Sequence, residues 1–338
     1  MIDLVRAAVA RARQGADAER ALVLWGLQYD LQPDDIELVR ALAAAEAQGR
    51  ADDDFGGHTD ESELAGFLLA SFREVSDVWL HWDLKRANFD TWCGYDVEYL
   101  VAAGVAETLA FVRASDHPER DAVLERLADV GEVDLAKWWH RKQKWFPADP
   151  SDESPLTWSD RAARLGMDDE ARAWLTRWTE GGERDEQTLT VPRGRYADLG
   201  AHAEAAEAQR GLLTFARDSR AVASALTTLA RHERLSGQHE AAWSALTDCA
   251  VALEDVPGCR EVGLGRHYVE ELFAPARDAS GELARAAFEA ADQAAVPGLA
   301  LVTLRIAADA AQKLDTRADH YRAARDAEAN RIEVSTAD

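Results

Sequence analysis

The sequence predicts an all-α protein in which antiparallel helix pairs stack on one another, preceded by a tryptophan-rich helical region. Three observations lead there. A short motif returns at a helix-pair interval. Ala163-Arg164-Leu165-Gly166 is followed by Glu170-Ala171, Asp198-Leu199-Gly200 by Glu204-Ala205, and Leu235-Ser236-Gly237 by Ala241-Ala242, the glycines standing 34 and then 37 residues apart. Apolar residues recur at spacings of three and four almost throughout, and strand-like alternation is nearly absent. Proline is scarce and falls at breaks, at Pro33, Pro118, Pro147, Pro150, Pro155 and Pro192.

Taken in order, the periodicity predicts helices over 4–14, 18–30, 35–49, 62–87, 91–114 and 118–129. Residues 146–155 hold three prolines and three acids and read as a linker or long interhelical loop. The chain is accordingly expected to divide into 1–148 and 149–338, either as separate domains or as one continuous stack. A second loop is expected from Gly181 to about Gly194. Beyond the first seam each motif places a glycine in a tight turn and a small residue on the second helix, where that helix crosses the first closely.

In this the chain resembles the tetratricopeptide repeat (TPR) family. Leu229-Ala230, Gly237, Ala242 and Leu246 fit that family's leucine-small, turn-glycine, alanine and bulky-apolar positions. Fainter copies are Ser280-Gly281 with Ala286, Asp315 lying 34 residues beyond Gly281, and Gly131 with Ala136 lying upstream of Gly166. The resemblance spans about 120–330. Glu233 stands where the family carries an aromatic, Pro257 is late, and the 44-residue step from Gly237 to Gly281 implies an insertion. The resemblance implies a right-handed solenoid whose first helices face a concave groove, with Thr227, Arg231 and Arg234 lining it in the Gly237 copy and Arg305 and Lys313 in the last.

The net charge is −24, with −13 in residues 1–150 and −11 in the rest, so the excess is spread along the chain. Such a surface repels phosphate backbones and argues against general nucleic-acid binding. Only 5 of the basic residues are Lys, and Ala is abundant, a composition that suggests a GC-rich bacterial genome. Cys93, Cys249 and Cys259 form no disulfide or zinc pattern. The first six residues, Met1 to Arg6, lack a long apolar core and no stretch is long enough to span a membrane, so a cytoplasmic location without membrane contact is expected. No cofactor is implied, and the oligomeric state is not legible.

Three local patterns carry chemistry of their own. His81, Asp83, Leu84, Lys85 and Asn88 match the spacing of a protein-kinase catalytic loop. The context does not, because Asp54-Phe55-Gly56 precedes this segment and no glycine-rich loop exists. Val75, Val78, Trp79 and Trp82 instead form the apolar stripe of one helix, with His81 off that stripe. Asp52, Asp54, Asp60 and Glu63 occupy acidic positions of an EF-hand outline with Gly57 at its turn, a weak calcium pattern; the competing reading has Thr59 or Asp60 capping the next helix. Lys137, Trp138, Trp139, Arg141, Lys142, Lys144 and Trp145 form a basic-aromatic patch with no acid between Asp134 and Asp149, suited to an acidic ligand or to packing at the seam. Nine of the eleven tryptophans lie between Trp79 and Trp178, which reads as a thick aromatic core or a set of binding anchors.

Ordinary enzyme signatures are absent. The first expectation is therefore a cytoplasmic helical-repeat scaffold that holds a protein or peptide in a groove. The alternatives are an acidic inhibitor or immunity-type protein covering a basic enzyme, and an enzyme whose site gathers His81, Asp83, Asn88 or His140 in the tryptophan-rich half.

Overall fold

The computed structural model describes residues 1–53, 56–182, 185–259 and 263–337, and only the backbone of 334–337. Among them the chain is all-helical, with no strand, and it divides between Ser154 and Pro155 into two compact units, later than the expected boundary after 148. No helix among the described residues is long and apolar enough to cross a membrane.

The N-terminal unit comprises α1 (Ile2–Arg13), α2 (Arg20–Leu27), α3 (Ile36–Ala51), α4 (Asp60–Ser71), α5 (Val78–Arg86), α6 (Phe89–Gly94), α7 (Val105–Ala114), α8 (Arg120–Arg126) and α9 (Glu132–Trp145). Two helices sit at its centre. In α2 every residue from Ala21 to Leu27 is buried, and in α4 every residue from Glu61 to Ala70, so neither has a solvent face. The approach of α1 to α2 is close enough that a Cβ on Gly26 would stand 2.5 Å from the Val5 carbonyl oxygen, which restricts that position to glycine.

The expected helix over 62–87 is broken. Arg73 takes a left-handed φ of 54°, a single turn of 3-10 helix follows at Val75–Asp77, and α5 starts at Val78. The expected helix over 91–114 likewise divides into α6, a 3-10 turn at Val97–Val101 and α7. The segment at 146–155 is a loop anchored to its own unit: Glu153, buried, accepts from Gln28 Nε2 at 2.8 Å and from the Tyr29 hydroxyl at 2.7 Å.

The C-terminal unit is a run of five helix pairs: α10 (Pro155–Arg164) with α11 (Asp168–Gly181), α12 (Glu186–Asp198) with α13 (His202–Leu213), α14 (Ser219–Leu235) with α15 (His239–Glu254), α16 (Gly263–Asp278) with α17 (Gly281–Ala294), and α18 (Leu301–Lys313) with α19 (Ala318–Ala337). First helices also touch first helices, α14 with α16 and α16 with α18, and α15 touches α17, as in a helical solenoid. Much of the expected loop at 181–194 is helix, because Asp185 and Thr188 form a capping box that starts α12 and Pro192 is carried inside it.

The returning glycines do one job. Gly166, Gly200 and Gly237 have φ of 68°, 67° and 82°. Each donates to the carbonyl three residues back while the next residue donates five back, as in Met167 to Ala162 at 3.0 Å, Ala201 to Tyr196 at 2.7 Å and Gln238 to Glu233 at 2.8 Å, the double bond of a Schellman stop. The following small residues, Ala171, Ala205 and Ala242, are fully buried. In the last pair Asp315 fills the glycine's place with φ 50°, and Thr316 donates to Ala311 at 2.9 Å. Gly131 differs. It is extended, with φ −113°, at the head of α9, so it is not a turn glycine of the kind at Gly166. The wider spacing to Gly281 owes most to α15, which runs 16 residues against 12 for its counterpart α13.

A stability prediction follows from the turns. Gly237→Ala meets open space but keeps a left-handed backbone, so it should cost about 1 kcal/mol, whereas Asp315→Gly should gain a few tenths. Thermal unfolding of the two variants checks both signs.

Candidate functional site

A groove of about 380 Å³ in the C-terminal unit is lined by successive helix pairs of the repeat. Its walls come from the first helices of three successive pairs: Arg193 and Asp198 of α12, Ser224, Thr228 and His232 of α14, and His267 of α16 among them. The second helices contribute none of its lining.

Of the groove residues expected from sequence, Thr227 and Arg231 line it. Thr227 is buried, and its hydroxyl turns back to the Ala223 carbonyl at 2.8 Å. The arginines are not free to select an acidic ligand. Arg231 Nε donates to Glu271 at 2.7 Å, and Arg234 spans Glu271 at 3.3 Å and Asp278 at 2.9 Å. Both rows of contacts tie α14 to α16, with Glu271 itself buried. Lys313 donates to the Arg277 carbonyl at 2.6 Å and to Ala279, where it satisfies the end of α16. Arg305 is exposed on α18 and lies outside the groove.

The groups left to a ligand are others. Arg193 meets only the Gln209 amide, at 3.4 Å, and has no carboxylate partner among the described residues. His267 is exposed at the opposite wall. Between them His232 stacks on His202 with ring centroids 5.8 Å apart; burial, then His202, Arg193 and Arg231, pull its imidazole down to about 4, so it is neutral at physiological pH. The six-residue step that leads back from Gly237 to Arg231 leads from Gly200 to Gly194, so this wall was legible only to within one residue of Arg193. The pairing of Arg231 and Arg234 with a carboxylate on another helix pair was not.

The N-terminal unit gathers its chemistry inside. Glu63 on α4, buried, accepts from the Tyr99 hydroxyl at 2.8 Å and from Lys142 of α9, and Lys142 reaches Asp96 at 2.9 Å. Trp138 Nε1 donates to the same Asp96 at 2.7 Å. His58 Nε2 lies 3.1 Å from the other Glu63 oxygen, out of hydrogen-bond alignment. Burial pushes the Glu63 carboxyl up, but the adjacent His58 ring, the Lys142 hydrogen bond and that lysine's charge outweigh it and hold it below its ordinary value.

The three local sequence patterns therefore separate. In the acidic loop Glu63 turns inward to Lys142, Asp60 is exposed in the first turn of α4, Asp52 accepts from Gln48 at 2.7 Å, and Asp54 lies outside the described residues. Thr59 caps α4 by accepting from Ser62 at 3.2 Å. Among the described residues no group of His, Cys, Asp and Glu is arranged to hold a metal. In the kinase-like segment His81 is buried, contrary to its expected place off the apolar face, and pairs with the Tyr95 hydroxyl at 2.7 Å. Asp83 is exposed beside Arg86, Lys85 is buried and donates to the carbonyls of Trp92 and Tyr95, and Asn88 caps α6. His140 is exposed on α9, so these groups are not brought together.

The basic-aromatic patch splits by helix face. Trp138 and Lys142 are buried, and Trp139 stacks on Phe67 at 5.2 Å, while Lys137, Arg141, Lys144 and Trp145 are exposed. The tryptophans divide in the same way, Trp25, Trp82, Trp138 and Trp158 in the core and Trp92 and Trp145 outside. Compared with protein-family models, curated proteins and solved structures, the chain matches none.

Proposed function

We propose that the chain is a helical-repeat scaffold of tetratricopeptide-like, right-handed build, and that it holds a protein or peptide segment in the groove between α12, α14 and α16. The observation that carries this reading is the composition of the groove: three first helices line it, and it offers an unpaired arginine, two histidines and hydroxyls at Ser224 and Thr228. A carboxylate of the ligand would meet Arg193, and a guanidinium gives it two donors in one plane. An extended segment spans successive pairs, because each pair repeats the same face one step further on. Arg231 and Arg234 serve by fixing α14 against α16 and so set the width of the groove.

Arg193→Glu with His267→Glu sets two carboxylates on the groove walls without touching the Glu271 bridges. In affinity purification from the native host, quantified by mass spectrometry, partner recovery should fall on the order of tenfold. Recovery equal to wild type would remove the groove from the account. Arg231→Glu with Arg234→Glu would be a poor probe, because it sets new carboxylates against the buried Glu271.

A further inference from the structure

The outer face of α9 lies in the other unit and has no part in the groove. At 100° per residue, Val133, Lys137, His140, Arg141 and Lys144 fall within a band of about 100° on the helix surface. All five are exposed, and Trp138 and Lys142 point the opposite way into the core. The band itself contains no carboxylate, and Asp134 lies about 20° beyond its edge in the first turn of α9. Lys137, Arg141 and Lys144 make no ion pair or hydrogen bond among the described residues, whereas Lys142 on the inner face is engaged with both Glu63 and Asp96. Val133, with 67% of its surface exposed, stands at the first end, and Trp145, with 62%, stands at the last, about 40° round the helix from Arg141.

We infer that this face docks an acidic amphipathic helix of a partner protein. The three cations sit at i, i+4 and i+7 and span about 10 Å of helix axis, so carboxylates at the same spacing on a parallel helix would oppose all three. An apolar residue beyond each end of that acidic row would cover Val133 and Trp145, and Trp145 is the kind of side chain that anchors such contacts. Charge selects the partner. The chain as a whole carries −24, which opposes the long phosphate runs of a nucleic acid and the sheet of anionic headgroups of a membrane. A short acidic helix needs only the local field, and at physiological salt that field is cut off over about 8 Å, close to the length of the stripe itself.

The test uses the full chain and a fluorescein-labelled synthetic helix with Glu at i, i+4 and i+7 and Leu at its ends, read by anisotropy. Saturable binding is expected. Lys137→Glu, Arg141→Glu and Lys144→Glu together should weaken it on the order of tenfold or more, the corresponding Gln replacements by less, and Trp145→Ala by about threefold. Circular dichroism should show the helix content unchanged, since all four side chains are exposed. Arg193→Glu with His267→Glu should leave binding intact, which separates this face from the groove. Absence of binding by the wild-type chain, or equal binding by the charge-reversed variant, would overturn the proposal. So would tighter, stripe-dependent binding of a single-stranded oligonucleotide or of phosphatidylserine vesicles.

Discussion

Lys142→Met is expected to destabilise the N-terminal unit by about 3–5 kcal/mol, the cost of leaving a buried carboxylate without its cation. Glu63 is only 5% exposed, and among the described residues Lys142 is the one Lys or Arg that meets it. Tyr99 alone cannot neutralise it. At roughly 2–4 °C per kcal/mol for a domain of this size, the melting temperature should drop by about 10 °C. The double variant Lys142→Met with Glu63→Gln should recover most of the loss, because a buried pair replaced as a whole is close to neutral. The sign with pH follows from the carboxyl being held low. Its contribution is present above the ordinary carboxyl range and is lost as pH falls through its folded value. In Lys142→Met that dependence should reverse, since protonating Glu63 then relieves the uncompensated charge. Thermal unfolding at two pH values, with the single and double variants, checks both parts.

The second large effect is a loss of stability on mild acidification, driven by buried histidines. Burial holds His81 down to about 3, and burial with neighbouring charges holds His232 down to about 4. The unfolded chain protonates both near pH 6.5 while the folded chain does not. Their stability is therefore fully present above that value and is lost as pH falls below it. Between pH 7 and pH 5 each should remove about 2 kcal/mol. This window lies above the carboxylates, so the two sources separate in a pH series. His81→Gln keeps a hydrogen-bonding partner for Tyr95 and cannot take up a proton. It should halve the pH dependence over this range in denaturant unfolding; a dependence equal to wild type would show that His81 protonates in the folded state.

What was legible in the sequence was local. Gly166, Gly200 and Gly237 announced their turns because a left-handed stop favours glycine, and Ala171, Ala205 and Ala242 announced the close crossings. The break at Arg73 was not legible, since arginine in a left-handed turn leaves no sequence signal. Pro192 pointed the wrong way: it suggested a loop, yet the capping box at Asp185 and Thr188 starts a helix that carries it. The functional surfaces depended on pairings across the chain. Glu63 and Lys142 are 79 residues apart, and Arg231 and Glu271 are 40 apart. Neither partner could be named from its own neighbourhood. Those pairings turn two expected binding arginines into struts, and they divide one basic-aromatic segment into a core face and a solvent face.

The groove is the centre of the account, and site-specific photocrosslinking tests it most directly. A benzophenone amino acid placed at Thr228, on the groove wall of α14, is compared in native-host extracts with the same group at Thr247, on the exposed face of α15. The account predicts a discrete adduct from position 228 that disappears with Arg193→Glu and His267→Glu, and none from position 247. The same adduct from both positions, or one that persists in the groove variant, would contradict it.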